Sequence, residues 1–166
     1  MASIRTLRAE EWELLRELRL RALRDSPESF GPLADDVARE PDEYWQRGAR
    51  TFAADSGHAS LFLAEHDGAA VGLVSATAAA GTGYLGAMWV APSARGAGLG
   101  RALVAAACGW LRARGCARLA LTVTETNAAA IALYEGAGFR LTGESKPLRA
   151  GSPLRDLVMV ATGGSA

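Results

Sequence analysis

The first third of the chain carries hydrophobic residues at helical spacing. Between residues 9 and 24 the apolar positions recur every three or four residues, which predicts one amphipathic helix, with Trp12, Leu15, Leu18 and Ala22 on one face. A short strand over 3–7 precedes this helix. Two prolines and a glycine interrupt the pattern over 25–36, which predicts a loop or a broken helix, and Pro41 begins a short helix that ends near residue 48.

From residue 59 the period changes to the alternation typical of strands. Two apolar segments, 60–66 and 70–78, flank Asp67-Gly68, which is a strong hairpin signal. The rest of the chain predicts a strand over 84–90, a helix over 98–114, a strand over 117–123, a helix over 127–138, and a closing antiparallel pair over 139–148 and 154–161. The order is β-α-α-β-β-β-α-β-α-β-β, and its central strand–helix–strand should be a parallel unit with a right-handed crossover.

Composition narrows the classes of protein that this order fits. The chain has 166 residues, 49% of them hydrophobic, which predicts one domain over 1–166. Its 18 Lys and Arg residues balance 18 Asp and Glu residues, which argues against a nucleic-acid partner. No apolar run reaches the roughly 18 residues of a membrane span, and the N-terminus lacks the apolar core of a signal peptide. We therefore expect a cytoplasmic protein with no membrane partner.

The two cysteines fit a reducing compartment. Cys108 and Cys116 are interpreted as small, reduced hydrophobic residues, because disulfides are rare in the cytosol. Neither histidine lies near them in the sequence, so we expect no metal site.

The segment RGAGLGRALVAAA, residues 95–107, places three glycines in five positions directly before a helix. The first turn of a helix has backbone N–H groups without partners and carries partial positive charge, so an anion binds there readily. Glycines let oxygen atoms approach the backbone, and Arg95 adds charge. The segment predicts a phosphate-binding loop, and a tight turn without a ligand is the alternative.

The spacing of the glycines and the residues after them narrow the class of phosphate-bearing ligand that this loop could bind. A P-loop would end in Gly-Lys-Ser/Thr, whereas Gly100 is followed by Arg101 and Ala102. A dinucleotide-binding loop has the spacing G-x-G-x-x-G, whereas this chain has G-x-G-x-G. Glu125 does close the next strand, about where a ribose-binding acid would lie. The loop nevertheless follows three strands of the sheet, so the dinucleotide interpretation is the weaker one.

A second group of residues lies on the helix over 127–138. Asn127 is its predicted N-cap, and Tyr134 is seven residues further on, so both lie on one helix face. This helix leaves the carboxyl end of the strand beside the glycine-loop strand, which is where α/β sheets usually bind ligands. Tyr134 is therefore either a site residue or a core tyrosine with a satisfied hydroxyl.

The two segments together resemble the GNAT superfamily of acyl-CoA-dependent N-acetyltransferases. Arg95, Gly98 and Gly100 match its R/Q-x-x-G-x-G/A signature, and the segment NAAAIALYEGAGF matches its asparagine-to-tyrosine helix at Asn127, Tyr134, Gly138 and Phe139. The resemblance implies an α/β (α+β) GNAT fold: a central mixed, mostly antiparallel sheet of about seven strands, a splayed parallel β-α-β unit and about four helices.

The resemblance also implies roles for individual residues. The backbone amides of the glycine loop would bind the pyrophosphate of acetyl-CoA, and these belong to Arg95, Gly96, Ala97, Gly98, Leu99, Gly100 and Arg101. The strand before the loop would bind the pantetheine arm at Met88, Trp89 and Val90, with the Val90 amide as oxyanion donor. Asn127 would contact the cofactor arm, and Tyr134 would be the general acid for the departing thiolate. Many family members form homodimers, so a homodimer is one expected assembly.

The general base cannot be carried over from better-known relatives. Histone-type members have a glutamate where this chain has Tyr84, and members that acetylate a ribosomal protein's N-terminal alanine have one where it has Thr122. Water, Glu125 or an acidic residue of the N-terminal region (Asp35, Asp36 or Glu40) stay open as alternatives.

In the family, the N-terminal helices and the last hairpin line the acceptor pocket. Candidate acceptor-binding residues are Phe30, Asp35, Tyr84 and Glu125. The stretch 26–45 is rich in carboxylates and aromatic residues, which indicates either a pocket for a small cationic amine or a solvated helical face. Lys146, Arg149 and Arg155 lie in the other segment, so an anionic acceptor stays open.

The resulting prediction is an enzyme that transfers an acetyl group from acetyl-CoA to a primary amine of a small molecule. Transfer to a protein N-terminus or a lysine is the first alternative. A non-catalytic acyl-CoA-binding module and a dinucleotide-binding enzyme are the others.

Overall fold

Seven strands form one mixed sheet in the computed structural model, which describes residues 1–53 and 57–163. The strands are β1 (Ala2–Thr6), β2 (Ala59–His66), β3 (Ala69–Ala79), β4 (Thr82–Val90), β5 (Arg118–Thr124), β6 (Arg140–Pro147) and β7 (Arg155–Thr162). Their order across the sheet is β1-β2-β3-β4-β5-β7-β6. Neighbours pair antiparallel except β4 and β5, which are parallel. The predicted mixed, mostly antiparallel sheet of seven strands is confirmed.

The described residues contain five α-helices, one more than the four expected. They are α1 (Trp12–Asp25), α2 (Ala34–Ala38), α3 (Asp42–Thr51), α4 (Leu99–Ala113) and α5 (Ala128–Gly136). The additional helix is α2, which lies at the end of the segment predicted as a loop or broken helix. Its five residues are too few for a hydrophobic period, and Asp35 and Asp36 in its first turn interact favourably with the helix dipole. A 3₁₀ turn over Pro27–Ser29 precedes it.

Side chains of the sheet alternate between two hydrophobic cores. On β2, Phe62 and Ala64 pack in the core with α4 and α5, whereas Leu61 and Leu63 pack in the core with α1 and α3. This alternation is the two-residue period of a strand that is buried on both faces. Cys108 and Cys116 are free and buried in the first of these cores.

The predicted β2–β3 hairpin turns at Asp67 and Gly68. Both residues have positive φ, 51° and 80°, which is the conformation of a two-residue turn that matches the twist of the flanking strands. Among the helices in the described ranges, none has the length and apolar character that crossing a membrane requires.

The parallel pair β4–β5 separates soon after it begins. The two strands pair only at Thr82↔Arg118, Gly83↔Leu119 and Tyr84↔Ala120. Beyond Tyr84, β4 continues along β3, and β5 continues along β7. A cleft therefore opens between the carboxyl halves of β4 and β5.

A bulge in β4 lies at the start of this opening. Leu73 pairs with Trp89 and Ser75 with Gly86, so Ala87 and Met88 lie opposite the single residue Val74. Ala87 has φ of 54°, which is uncommon for a residue with a Cβ and typical of a bulge. Bulges of this kind bend a strand and increase its twist, and this one lies where β4 leaves β5.

Candidate functional site

The cleft between β4 and β5 is a cavity of about 570 Å³, which lies within the usual range for small-molecule sites. One wall consists of the β4 residues from Leu85 to Val90, and the other of β5 residues 121–124. Residues of α5 and of the loop after α1 complete it. The carboxyl ends of both strands thus meet at one cavity, as the sequence analysis predicts.

The glycine loop lies at one end of the cleft, with Arg95 and Gly100 among the lining residues. Gly96 and Gly98 have φ of 82° and 81°, a region that side chains with a Cβ rarely adopt. Gly98 is also the N-cap of α4. In the described part of the chain, six successive backbone amides, from Gly96 to Arg101, have no hydrogen-bond acceptor, since the first such bond of this region joins Ala102 N to Gly98 O. Such a series of free amides at a helix N-terminus favours the binding of an anion.

Gly100, the third glycine of the loop, leaves a narrow gap between Met88 of β4 and Leu133 of α5. A Cβ placed on Gly100 would lie 3.2 Å from Met88 Cε and 3.3 Å from Leu133 Cδ2. Any side chain here would enter the space between β4 and α5. A side chain at position 100 would therefore narrow the gap between Met88 and Leu133, whereas positions 96 and 98 favour glycine because of their backbone conformation.

The backbone of Val90 faces the cleft. The neighbouring amide of Ala91 donates to Val71 O at 2.7 Å, on the β3 side of the strand. Backbone groups of successive strand residues point to opposite edges, so the N–H and C=O of Val90 point away from β3. The Val90 carbonyl accepts a hydrogen bond from Arg95 Nε at 2.9 Å. The Val90 amide is thereby aimed into the open side of the splay.

Arg95 is held in an ion pair that no local sequence pattern predicts. Its Nη2 lies 2.6 Å from Asp25 Oδ2, and the same oxygen accepts from Trp89 Nε1 at 2.9 Å and from Ser26 Oγ at 2.8 Å. The hydrogen bond from Trp89, with those from Ser26 and Arg95, lowers the pKa of Asp25 although partial burial opposes the change. Asp25 therefore joins the end of α1 to β4 and to the glycine loop, and it neutralises the charge of Arg95.

Asn127 and Tyr134 both line the cleft from α5, as their spacing predicts. Asn127 Oδ1 accepts from Ala130 N at 3.2 Å, which caps the helix, and Asn127 Nδ2 donates to Ser29 Oγ at 3.3 Å. Tyr134 is 6% exposed, and its ring packs edge-on against Phe139 with a centroid distance of 6.1 Å. Burial raises the pKa of the Tyr134 phenol above its ordinary value, so the hydroxyl keeps its proton at neutral pH.

Asp156 is the carboxylate that lines the cleft within the described ranges. It lies on β7 opposite Thr124 of β5, and Thr124 Oγ1 donates to Asp156 Oδ1 at 3.2 Å. The residue is 9% exposed, and burial raises the pKa of its carboxyl against the opposing effects of Thr124, Lys146 and Arg149. A buried carboxyl with a raised pKa in a cleft is a candidate proton acceptor.

The last hairpin braces the loop that follows α1. Arg149 donates to the carbonyls of Gly31 at 3.0 Å and Phe30 at 2.9 Å, and also to that of Pro27. Phe30, Ser29 and Gly31 line the cleft. Arg149 therefore fixes the backbone of one wall of the cavity, since its guanidinium group donates to three backbone carbonyls there.

The structure brings most of the predicted site residues to this one cleft. Lining it are Phe30, Met88, Trp89, Val90, Arg95, Gly100, Asn127 and Tyr134. Gly96, Ala97, Gly98, Leu99 and Arg101 lie in the loop around Arg95 and Gly100 and contribute the free amides.

Three predicted acceptor residues lie elsewhere. Asp35 is exposed on α2, and Tyr84 is 46% exposed in the paired part of β4. Glu125 is exposed and accepts from the Arg155 amide at 3.1 Å. The carboxylates of stretch 26–45 are all exposed and do not line the cleft, so they behave as a solvated face.

Sequence reasoning missed Asp25, Asp156 and Arg19 as cleft or loop-supporting residues. Asp156 and Thr124 come together only through the β5–β7 register, for which the sequence contains no local signal. Asp25 is the last residue of α1, and its contact with Trp89 joins residues 64 positions apart, which local sequence patterns do not encode. Arg19 lies on α1 beside the buried residues Leu15 and Leu18. A charged residue beside a buried helix face was the sequence signal that could have indicated a site residue there.

Comparison with known proteins agrees with this geometry. Residues 12–139 match the acetyltransferase (GNAT) family. The chain is 38% identical over 129 residues to a mycothiol acetyltransferase from Thermobispora bispora, an alignment that covers 74% of this chain and 40% of that protein. The chain thus spans about two-fifths of the length of the curated relatives it matches first.

Solved structures share the fold. A GNAT-family acetyltransferase from Streptococcus pneumoniae superposes with a TM-score of 0.82 at 26% identity, over 99% of this chain and all of that one. The PaiA N-acetyltransferase from Thermoplasma acidophilum, solved with coenzyme A, superposes with a TM-score of 0.69 at 18% identity, over 98% and 99% of the two chains.

The splayed strands, the glycine loop and the asparagine-to-tyrosine helix occur here in one chain whose sequence matches the family over 12–139. The protein belongs to the GNAT acetyltransferase family.

Proposed function

We propose that this protein transfers an acetyl group from acetyl-CoA to a primary amine on a small molecule. The observation that carries the proposal is the series of free amides from Gly96 to Arg101 at one end of a cleft lined by Val90, Asn127 and Tyr134. Acetyl-CoA would supply a pyrophosphate, an amide-bearing arm and an acetyl thioester. The residues present fit each part of it.

The glycine loop would hold the pyrophosphate through its amides. Those donors come from backbone that is already ordered, so binding an anion there costs little reorganisation. The backbone of Met88 and Val90 along the open edge of β4 would pair with the arm, with Trp89 between them, and Asn127 would contact it from α5. Because Arg95 Nε occupies the Val90 carbonyl, the Val90 amide is the group left to bind an oxygen.

Catalysis would depend chiefly on position. Holding an amine against a thioester carbonyl removes much of the entropic barrier of a bimolecular reaction. The amine nitrogen forms a bond to the acetyl carbon, and the bond from that carbon to sulfur breaks. The Val90 amide would stabilise the developing oxyanion by about 3 kcal/mol, the usual effect of one such donor.

Two side chains would move the protons. Tyr134 keeps its hydroxyl proton at neutral pH because burial raises its pKa, so it can donate that proton to the departing sulfur. Asp156 would accept the proton that the amine loses, because it is the cleft's carboxylate in the described ranges and its pKa is raised by burial. Asp156 takes the place of the base for which neither Tyr84 nor Thr122 is suited.

A transfer assay tests the proposal. The protein is incubated with acetyl-CoA and a panel of small amines, the released thiol is followed with a thiol reagent, and the acetylated amine is identified by mass spectrometry. We expect amine-dependent thiol release that Tyr134→Phe reduces strongly. Binding of acetyl-CoA without transfer to any amine or peptide N-terminus would favour an acyl-CoA-binding module instead.

Small molecules are the favoured acceptors because the cavities beside the β4 bulge are of small-molecule size, and because the matched relatives are named for mycothiol. Transfer to a protein N-terminus or lysine is the alternative that peptide substrates in the same assay would detect. The single-domain organisation, the homodimer, the cytoplasmic location and the absence of a nucleic-acid partner stay predictions.

A further inference from the structure

A second cavity of about 540 Å³ adjoins the cleft. It lies between α1, α3 and strands β2 to β4, and Arg19 and Ala87 line both cavities. Ala87 belongs to the β4 bulge. A molecule whose amine lies at the bulge could therefore extend past Ala87 into this second space.

The second cavity is cationic. Its charged lining residues within the described ranges are Arg19 and Arg47, and no carboxylate lines it. Tyr44, Trp45 and Phe52 add aromatic surface. The exposed carboxylates of α2 and of the start of α3, which suggested a pocket for cations, line neither cavity.

Two donors of this cavity's walls are buried without partners. Arg19 Nη1 and Trp45 Nε1 are both inaccessible and have no hydrogen-bond acceptor in the described structure. Arg19 makes no ion pair there, and its contact is with the Phe30 ring, 4.9 Å from the guanidinium carbon to the ring centroid. Burial lowers the pKa of Arg19, and the neighbouring Tyr44 only partly offsets this.

Such an arrangement is unfavourable for folding alone. A buried guanidinium is normally paired with a carboxylate, and an unsatisfied buried donor retains its desolvation penalty. A methionine would fill the same space without this cost. An unpaired arginine between two cavities is accounted for by a ligand that brings its own negative charge.

We propose that the second cavity binds an anionic group of the acceptor, with Arg19 as its principal partner. The acceptor is then a small primary amine that also carries an oxyanion, a carboxylate or a phosphate. This inference rests on the proposed acetyl transfer. It assigns Arg19 as a residue that determines specificity.

The test uses amines in matched pairs that differ only in the anionic group. L-Phenylalanine is compared with 2-phenylethylamine, and 2-aminoethyl phosphate with ethanolamine, at saturating acetyl-CoA. We expect kcat/KM to be at least tenfold higher for the charged member of one pair, and the pair that shows the preference identifies the anion. Arg19→Met should remove the preference by raising KM for the charged member at least tenfold while leaving its neutral counterpart nearly unchanged.

Two further variants separate recognition from packing. Arg19→Lys keeps the charge and should restore part of the preference. Arg24→Met changes an exposed arginine of the same helix that lines neither cavity, and should behave as the wild type. If Arg19→Met fails to fold, the ratio of wild-type kcat/KM values within each amine pair still tests whether the acceptor carries an anionic group.

Equal or better turnover of the neutral members by the wild type would overturn the proposal. An Arg19→Met variant that slows both members of a pair equally would assign Arg19 a packing role and overturn it too. Failure of the proposed function would be seen separately, as an absence of acetyl-CoA binding before any amine is added or as binding without transfer to any amine.

Discussion

Replacing Gly100 by alanine should separate the stability of this protein from its ability to bind acetyl-CoA. Gly100 lies in the first turn of α4, where alanine is favoured over glycine by about 0.5–1 kcal/mol in a helix. The added methyl group would lie 3.2 Å from Met88 Cε and 3.3 Å from Leu133 Cδ2, which are the ends of flexible side chains. Small movements of those two side chains relieve the contact, so the free energy of unfolding should change by less than about 1 kcal/mol.

Cofactor binding should respond differently. The methyl group occupies the gap between β4 and α5 through which the arm would pass, and overfilling a close-packed site costs about 1–3 kcal/mol. That range corresponds to a dissociation constant for acetyl-CoA that is about 5- to 150-fold larger, since about 1.4 kcal/mol is a factor of ten. Isothermal titration calorimetry measures this constant directly, and thermal unfolding without ligand measures stability.

Gly109 provides a matched control on the same helix. It is exposed, and a Cβ placed there would meet nothing within 4 Å. Gly109→Ala should therefore raise the Tm by about 1–4 °C without changing the dissociation constant for acetyl-CoA. Wild-type affinity in Gly100→Ala, or equal weakening in both variants, would refute the placement of the cofactor at this gap.

Three other substitutions have expected outcomes. Tyr134→Phe should lower kcat by about 10²- to 10⁴-fold while the acetyl-CoA dissociation constant stays near that of the wild type, because only the proton donor is lost; wild-type turnover would exclude Tyr134 as the acid. If Asp156 is the base, kcat of the wild type should rise with pH as Asp156 loses its proton, and Asp156→Asn should abolish that rise. The variant should also gain stability relative to the wild type as pH rises above 3.8, because burial raises the folded-state pKa of Asp156 and its ionisation opposes folding. Parallel Tm–pH curves for the two proteins would contradict this. Asp25→Asn should lower the free energy of unfolding by about 1–2 kcal/mol at pH 7. This difference from the wild type should shrink only as pH falls below 3.8, because hydrogen bonds lower the folded-state pKa of Asp25. A difference that disappears near pH 6 would contradict a lowered pKa.

The elements with strong periodicity were predictable from the sequence, and so was their order along the chain. The helix over 98–114 corresponds to α4, and the hairpin at Asp67-Gly68 forms because its residues tolerate positive φ. The Asn127-to-Tyr134 spacing predicted that both side chains share one helix face, and both line the cleft. Each of these features depends on residues that are close together in the sequence, so the local pattern was sufficient to predict it.

Residues that act through long-range contacts were not predictable in this way. Asp156 reaches the cleft because β7 inserts between β5 and β6, an arrangement that local periodicity does not encode. Ala87 adopts a positive φ although alanine disfavours it, so the bulge that begins the cleft has no glycine to mark it. The ion pair of Arg95 with Asp25 likewise joins residues 70 positions apart and changes a predicted phosphate contact into a brace of the loop.

Thermal unfolding with and without acetyl-CoA is the most direct test that this protein binds acetyl-CoA. The protein is measured alone, with acetyl-CoA and with NAD⁺, each at about one hundred times an expected dissociation constant, where binding stabilises a fold by about 2.7 kcal/mol. For a chain of 166 residues we expect a Tm increase of about 5–10 °C with acetyl-CoA and none with NAD⁺. No increase with acetyl-CoA, or an equal increase with NAD⁺, would contradict it.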